Sequence, residues 1–302
     1  MIGLWVVAFS ASQAQELEPR SYRTLPTGLN FAVLGYSYST GNVVADATSS
    51  VQDLSLDANI AGFGYLRSFG IAGRSSSVAV QIPYVYMSGT ASLDGEPVSG
   101  TRIGLADSRV RLAVNLLGGP ALAPAEFAKY RQRRNLGVSL TVSVPTGATK
   151  PDQRVNLGAD RWGLKPEVGY SSIKGRWILD AALGVWFFTK NNDYFGGNTL
   201  EQDPIGNLQA HGSYNFNRKV WLALDANWYV GGSTELNGEE LTKLQSNSRW
   251  GLTLSVTVAR GQSLKIAGHT GAYTRTGADF DVVSIAYQFG WGAGLRPAKT
   301  ER

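Results

Sequence analysis

Twelve ionisable side chains could do chemistry in this sequence: Asp57, Asp107, Arg109, Arg111, Lys165, Glu167, Asp180, His211, Asp225, Arg249, Lys265 and His269. Each stands in a segment where apolar and polar residues alternate, so each would point to the side of a strand opposite its apolar neighbours. Charges of both signs lining a cavity can steer polar solutes; equally, they can pair with one another and fill it, and the sequence leaves both open. A second chemistry is suggested by His211-Gly212-Ser213. Residues two apart on a strand share a face, so a hydroxyl nucleophile would sit beside a base, with Asn227 on the following strand available to orient the ring. To act on lipid that pair must face lipid, whereas its parity places it with the polar residues. Hydrolysis is therefore the weaker expectation, to be tested as lipid hydrolysis lost in Ser213→Ala. No cysteine is present and the two histidines lie far apart in sequence, so neither metal nor cofactor is expected.

The elements that must carry these residues are long two-faced ribbons. From Asn247 to Val258, Asn247, Arg249, Gly251, Thr253, Ser255 and Thr257 alternate with Ser248, Trp250, Leu252, Leu254, Val256 and Val258. The pattern recurs about a dozen times in segments of roughly ten residues, enough to cross a bilayer at a tilt. Phase is clearest where Val110, Leu112, Val114 and Leu116 oppose Asp107, Arg109, Arg111 and Asn115; a slip of one residue would put arginines into hydrocarbon. By the same rule, Leu54, Leu56, Ala58, Ile60 and Leu66 are expected on the lipid face, and Asp57 in the interior. Tyr84, Tyr86, Trp162, Tyr170, Trp177, Tyr214, Trp228, Trp250 and Tyr287 fall near strand ends, as interfacial aromatics do. The expected fold is all-β: an antiparallel up-and-down transmembrane barrel of about 12 strands. A soluble β-sandwich also alternates, but its strands are shorter, usually about five or six residues.

Connections agree. Lys174-Gly175, Asn217-Arg218-Lys219 and Arg260-Gly261-Gln262 are tight, whereas 88–104, 145–160, 190–203 and 232–246 are long and polar, matching short periplasmic turns and longer outer loops. One long inner-side segment, 118–134, has helical composition around Pro124 to Tyr130. With 43% apolar and 17% charged residues among 302 and a mean hydropathy of −0.12, no stretch reads as a membrane-spanning helix. Ile2 to Phe9 followed by Ser12 and Ala14 reads as a signal peptide over 1–14, lacking a basic start. A single barrel domain is expected over 15–302.

Several short motifs resemble the outer-membrane family of the phenol-degradation meta-pathway: Val144-Pro145-Thr146-Gly147, Asn156-Leu157-Gly158 with Arg161-Trp162, Gln202-Asp203-Pro204, Trp221 with Leu224-Asp225, Tyr229 with Gly231-Gly232, and Arg275 through Gly277 to Asp279-Phe280. The resemblance implies an outer-membrane transporter for aromatic or hydrophobic molecules, and carries no site residue across. The expectation is a passive channel in the bacterial outer membrane. Its alternative is an occluded barrel with a structural or adhesive role. Expected partners are outer-membrane lipid and lipopolysaccharide and a small solute. The net charge of +5 suits anion focusing in the lumen, or contact with lipopolysaccharide phosphates, or a simple surface excess at Arg131, Arg133, Arg134, Arg296 and Lys299, the last being simplest. Dispersed basic residues without a recognition helix argue against nucleic acid.

Overall fold

The computed structural model describes residues 18–44, 51–93, 96–153, 155–275 and 277–292. The signal-peptide expectation and the polar tail from residue 293 lie outside them. In chain order the elements are β1 (Leu29–Val44), β2 (Val51–Ile71), β3 (Arg74–Leu93), β4 (Glu96–Leu105), β5 (Ser108–Leu117), α1 (Pro124–Phe127), β6 (Arg134–Val144), β7 (Gly163–Lys174) and β8 (Trp177–Phe188). They continue with β9 (Asn191–Tyr194), β10 (Asn198–Gln202), β11 (Ile205–Asn215), β12 (Val220–Gly231), β13 (Thr234–Leu236), β14 (Glu239–Thr242), β15 (Gln245–Ala259), β16 (Gln262–Thr274) and β17 (Gly277–Gly292).

Antiparallel neighbours follow one another around a closed ring, sealed by the β1–β17 and β2–β3 pairings. Both β4 and β5 pair with β3, at its outer and inner halves respectively, so together they occupy one wall position and the barrel has twelve. The break between them at Ala106-Asp107 falls opposite Pro83, whose nitrogen has no proton for the ladder; the Pro83 carbonyl instead accepts from the Ala106 N–H at 3.0 Å. Strands β9, β10, β13 and β14 form a separate small sheet in the long connections at the outer end. The helix α1 lies in the long inner-side connection, where its composition predicted one.

Alternation has the energetic consequence expected of a barrel in lipid. Leu140, Leu183 and Leu224 are 44%, 57% and 53% exposed on the outside, while Lys165 and Asp225 of the opposite parity are 2% and 0% exposed. Leu140 is central on β6, so Leu140→Arg should lower barrel stability by ~2–4 kcal/mol, read as the urea midpoint in phospholipid bilayers. The interfacial aromatics all point outward, and Trp177 meets Tyr214 edge-on at 4.9 Å.

One strand has the reverse of its expected phase. On β2, Ala58, Ile60 and Leu66 are buried in the interior, and Asp57 is on the outside. Two features make this favourable. Ala58, Ile60, Val85 and Met87 form an apolar patch covered by Val155 and Leu157 of an infolded outer loop, and Leu66 packs with Leu25, Leu29, Phe31 and Ala79. Outside, Asp57 and Asn59 accept hydrogen bonds from the Tyr38 and Tyr36 hydroxyls at 2.8 and 2.6 Å. The rule that oily residues face lipid fails wherever the lumen itself contains something oily to bury them.

Candidate functional site

The lumen is crossed by residues 18–28, which precede β1 and form a strap. At its foot, the Gly28 N–H donates to the Ser68 carbonyl and the Thr27 N–H to the Leu122 carbonyl, at 3.0 and 2.9 Å. Further along, the Leu25 N–H meets the Ser75 hydroxyl at 3.3 Å and the Thr24 N–H meets Gln132 at 3.2 Å. Tyr22 then reaches the far wall, and Arg20 lies 4.0 Å above the Trp221 ring.

Tyr22 has a seat made of two glycines. Gly137 and Gly169 are register partners on β6 and β7, both facing inward. A Cβ on Gly169 would fall 2.0 Å from the Tyr22 ring, and one on Gly137 2.6 Å from it. Only bare backbone lets the ring lie against the wall. Its hydroxyl donates to Glu167 at 2.7 Å and pairs with Ser139 at 3.0 Å. Burial raises the Tyr22 pKa to about 12, so the phenol stays protonated and able to donate.

Glu167 is the hub of the constricted layer. Lys165 Nζ lies 3.1 Å from one of its oxygens, Arg111 Nη2 3.6 Å from the other, and Gln209 donates at 3.3 Å. The polar chain continues from Gln209 to Asn207 and from Asn207 to Asn227, at 3.1 and 3.0 Å. Cations also lie over inward aromatics: Arg111 over Tyr22 at 5.0 Å, and Lys165 and Arg109 over Trp186 at 5.5 and 5.8 Å. Trp186, 0% exposed, was not singled out from sequence, and Tyr229, 2% exposed, was named there only as part of a family motif; both occupy the parity of the polar residues, the signal that could have placed them in the lumen.

Of the twelve ionisable residues named from sequence, all except Asp57 project inward. They do not form one cluster. Lys165, Glu167 and Arg111 meet in the middle layer. His211 and Asp225 form a pair, with Nδ1 2.8 Å from Oδ1 and the Thr253 hydroxyl donating to the other oxygen at 2.6 Å. Asp225 therefore orients the ring in place of Asn227, which is engaged by Asn207. Ser213 is wholly buried in the lumen wall. Arg249 and Lys265 are buried on β15 and β16, and the His269 ring lies over Gly251. Arg131 and Arg133, named from sequence as a simple surface excess, lie in the short-turn connection before β6, and Arg134 is the first residue of β6.

Asp107 serves the outer loop. It accepts from the Gly147 and Ala159 N–H groups at 2.9 and 2.8 Å, while Gly147 and Gly158 abut so closely that a Cβ on either would lie within 3 Å of the other. This folds 147–153 and 155–159 into the mouth. Asp107→Ala removes both charged hydrogen bonds, each worth ~1.5–3 kcal/mol, and is expected to make Val155 and Leu157 cleavable by thermolysin in limited proteolysis of the folded barrel. Gln202 takes part in the same assembly, accepting from Arg161 and donating to the Gly232 carbonyl at 3.1 Å.

Two cavities flank the constricted layer. The outer one, about 380 Å³, has an apolar side with Leu54, Leu56, Val155 and Leu157 and a polar side with Asp107, Arg109, Arg161 and Asn191. The inner one, about 610 Å³, is lined by Arg20, Trp221 and residues of the short turns. An amphiphilic solute would find matching surfaces in the outer cavity.

A family model described as "Putative MetA-pathway of phenol degradation" matches residues 38–278. Among solved structures, an outer membrane channel from Pseudomonas putida F1 is similar at 20% identity and a TM-score of 0.76, over 91% of this chain and 100% of that one. The transport unit of the autotransporter AIDA-I from Escherichia coli is similar at 9% identity and a TM-score of 0.51, over 87% and 90%. No curated protein matches the sequence significantly.

Proposed function

We propose a function from one premise: the chain belongs to the family described by the phenol-degradation MetA pathway, its model covering residues 38–278. In this proposal the protein is a passive channel of the bacterial outer membrane for small amphiphilic molecules, aromatic ones in particular. The observation that carries it is a single lumen with a cavity at each end, one of them part apolar and part polar, separated by a strap that is not one of the wall strands. The Pseudomonas putida relative in fold is itself an outer membrane channel. A non-catalytic role is supported by Ser213, whose side chain is enclosed beyond the reach of a lipid substrate. Liposomes containing the protein are expected to swell in small amphiphilic solutes faster than protein-free liposomes; equal rates would overturn the proposal.

The occluded-barrel alternative has one observation in its favour, the burial of Lys165 and Glu167 to 2% and 7% exposure in the middle layer. It differs in a single respect. A channel requires the strap to yield, whereas a structural barrel requires it to stay.

A further inference from the structure

The inner cavity carries an unusual excess of one charge. Its lining includes Arg20 and Arg23 from the strap and Arg131, Arg176 and Arg218 from the short-turn connections, with no carboxylate among the described residues that line it. Asp180 is the acid that acts on both strap arginines. Burial, then the neighbouring Arg23, lowers the Arg20 pKa to about 9, still charged at neutral pH. Arg20 is 2% exposed, and its Nε and Nη2, like Nε of Arg23, have no hydrogen-bond partner among the described residues. Unused donors on buried guanidinium groups are costly unless something completes them. The rest of the lining is mixed: Ile173, Ile178, Phe216 and Trp221 are apolar, and Asn215, Asn217, Ser255, Thr257 and Ser263 are neutral and polar.

We propose that this cavity is a binding site for a small organic anion, a carboxylate or phenolate on an apolar body. A guanidinium offers paired N–H donors that match a carboxylate, and the strap and the turns approach from different sides, so one anion could engage both. Ile173, Ile178, Phe216 and Trp221 would then meet the body of the ligand, which inorganic anions lack. Free organic acids and anionic lipid headgroups share the charge, but only the former bring a compact apolar body into the lumen. Binding does not depend on passage through the barrel, so the site stands or falls separately from the channel proposal.

The test is calorimetric titration of the full chain in detergent micelles with benzoate, benzyl alcohol and inorganic phosphate. Benzoate is expected to bind, benzyl alcohol at least ~tenfold more weakly, and phosphate more weakly than benzoate. Arg20→Gln with Arg23→Gln should weaken benzoate by ~tenfold or more. Arg218→Gln, which leaves the strap intact, should weaken it severalfold. Arg67→Gln, at the same end but on the outer surface, should leave it unchanged. Benzyl alcohol binding as tightly as benzoate would overturn the proposal, as would unchanged benzoate affinity in Arg218→Gln and in a strap double variant whose heat-modifiable gel mobility shows it folded. Phosphate binding as tightly as benzoate would point to a general anion or headgroup site and overturn the organic part.

Discussion

Gly169→Ala unseats Tyr22 and raises the single-channel conductance several-fold. A Cβ on Gly169 would overlap the Tyr22 ring at 2.0 Å, a separation no adjustment of a few tenths of an ångström relieves. The wall cannot retreat, because β7 is held by ladders to both β6 and β8. The strap can. On leaving, Tyr22 gives up a charged bond to Glu167, ordinarily worth ~1.5–3 kcal/mol net, and a neutral one to Ser139, worth ~0.5–1.5 kcal/mol, while the anchors at Gly28, Thr27 and Leu25 remain. The variant should therefore fold, retain its heat-modifiable gel mobility, and conduct through a wider layer. Unchanged conductance in the folded variant would mean that Tyr22 does not set the constriction.

Glu167→Ala should destabilise the barrel by ~3–5 kcal/mol, because it strands positive charge in a buried layer. Lys165 and Arg111 both reach this carboxylate, and Lys165 is 2% exposed. Adding Lys165→Met should restore part of the loss, since the pair removed together leaves less uncompensated charge. The urea midpoint of each variant in lipid bilayers measures this. Any open channels of Glu167→Ala should also favour anions over cations relative to the parent chain. A single variant as stable as the parent would show that water, not Glu167, balances these cations.

What the sequence made legible was governed by period. Where lipid covers one side and polar lumen the other, as at Arg109 and Arg111 between Val110 and Leu112, parity alone placed the side chains correctly, and the short and long connections gave the two ends. Parity failed at β2 because the infolded loop and the strap supply an apolar interior, so Ile60 and Leu66 turn inward and Asp57 outward. Residues 18–28 have neither period, and their role exists only through distant partners: Tyr22 with Gly137 and Gly169, Arg20 with Trp221. Those two glycines look like any others in a strand until the ring lies against them. Likewise the short motifs at 144–147, 156–158 and 202–204 read as turn chemistry; the contacts of Gly147 with Asp107 and Gly158, and of Gln202 with Arg161 and Gly232, gather them at one mouth. His211 illustrates the same limit. Its face was readable, but the partner across the ladder, Asp225 in place of Asn227, depends on register.

The central claim is that the lumen is a passage whose width is set by the strap, and planar-bilayer recording tests it most directly. The full chain is expected to give small discrete current steps, and the chain lacking 18–24 larger steps of the same kind. If both chains, folded and inserted, give no discrete steps, the lumen is sealed by its wall side chains and the account of a channel is wrong.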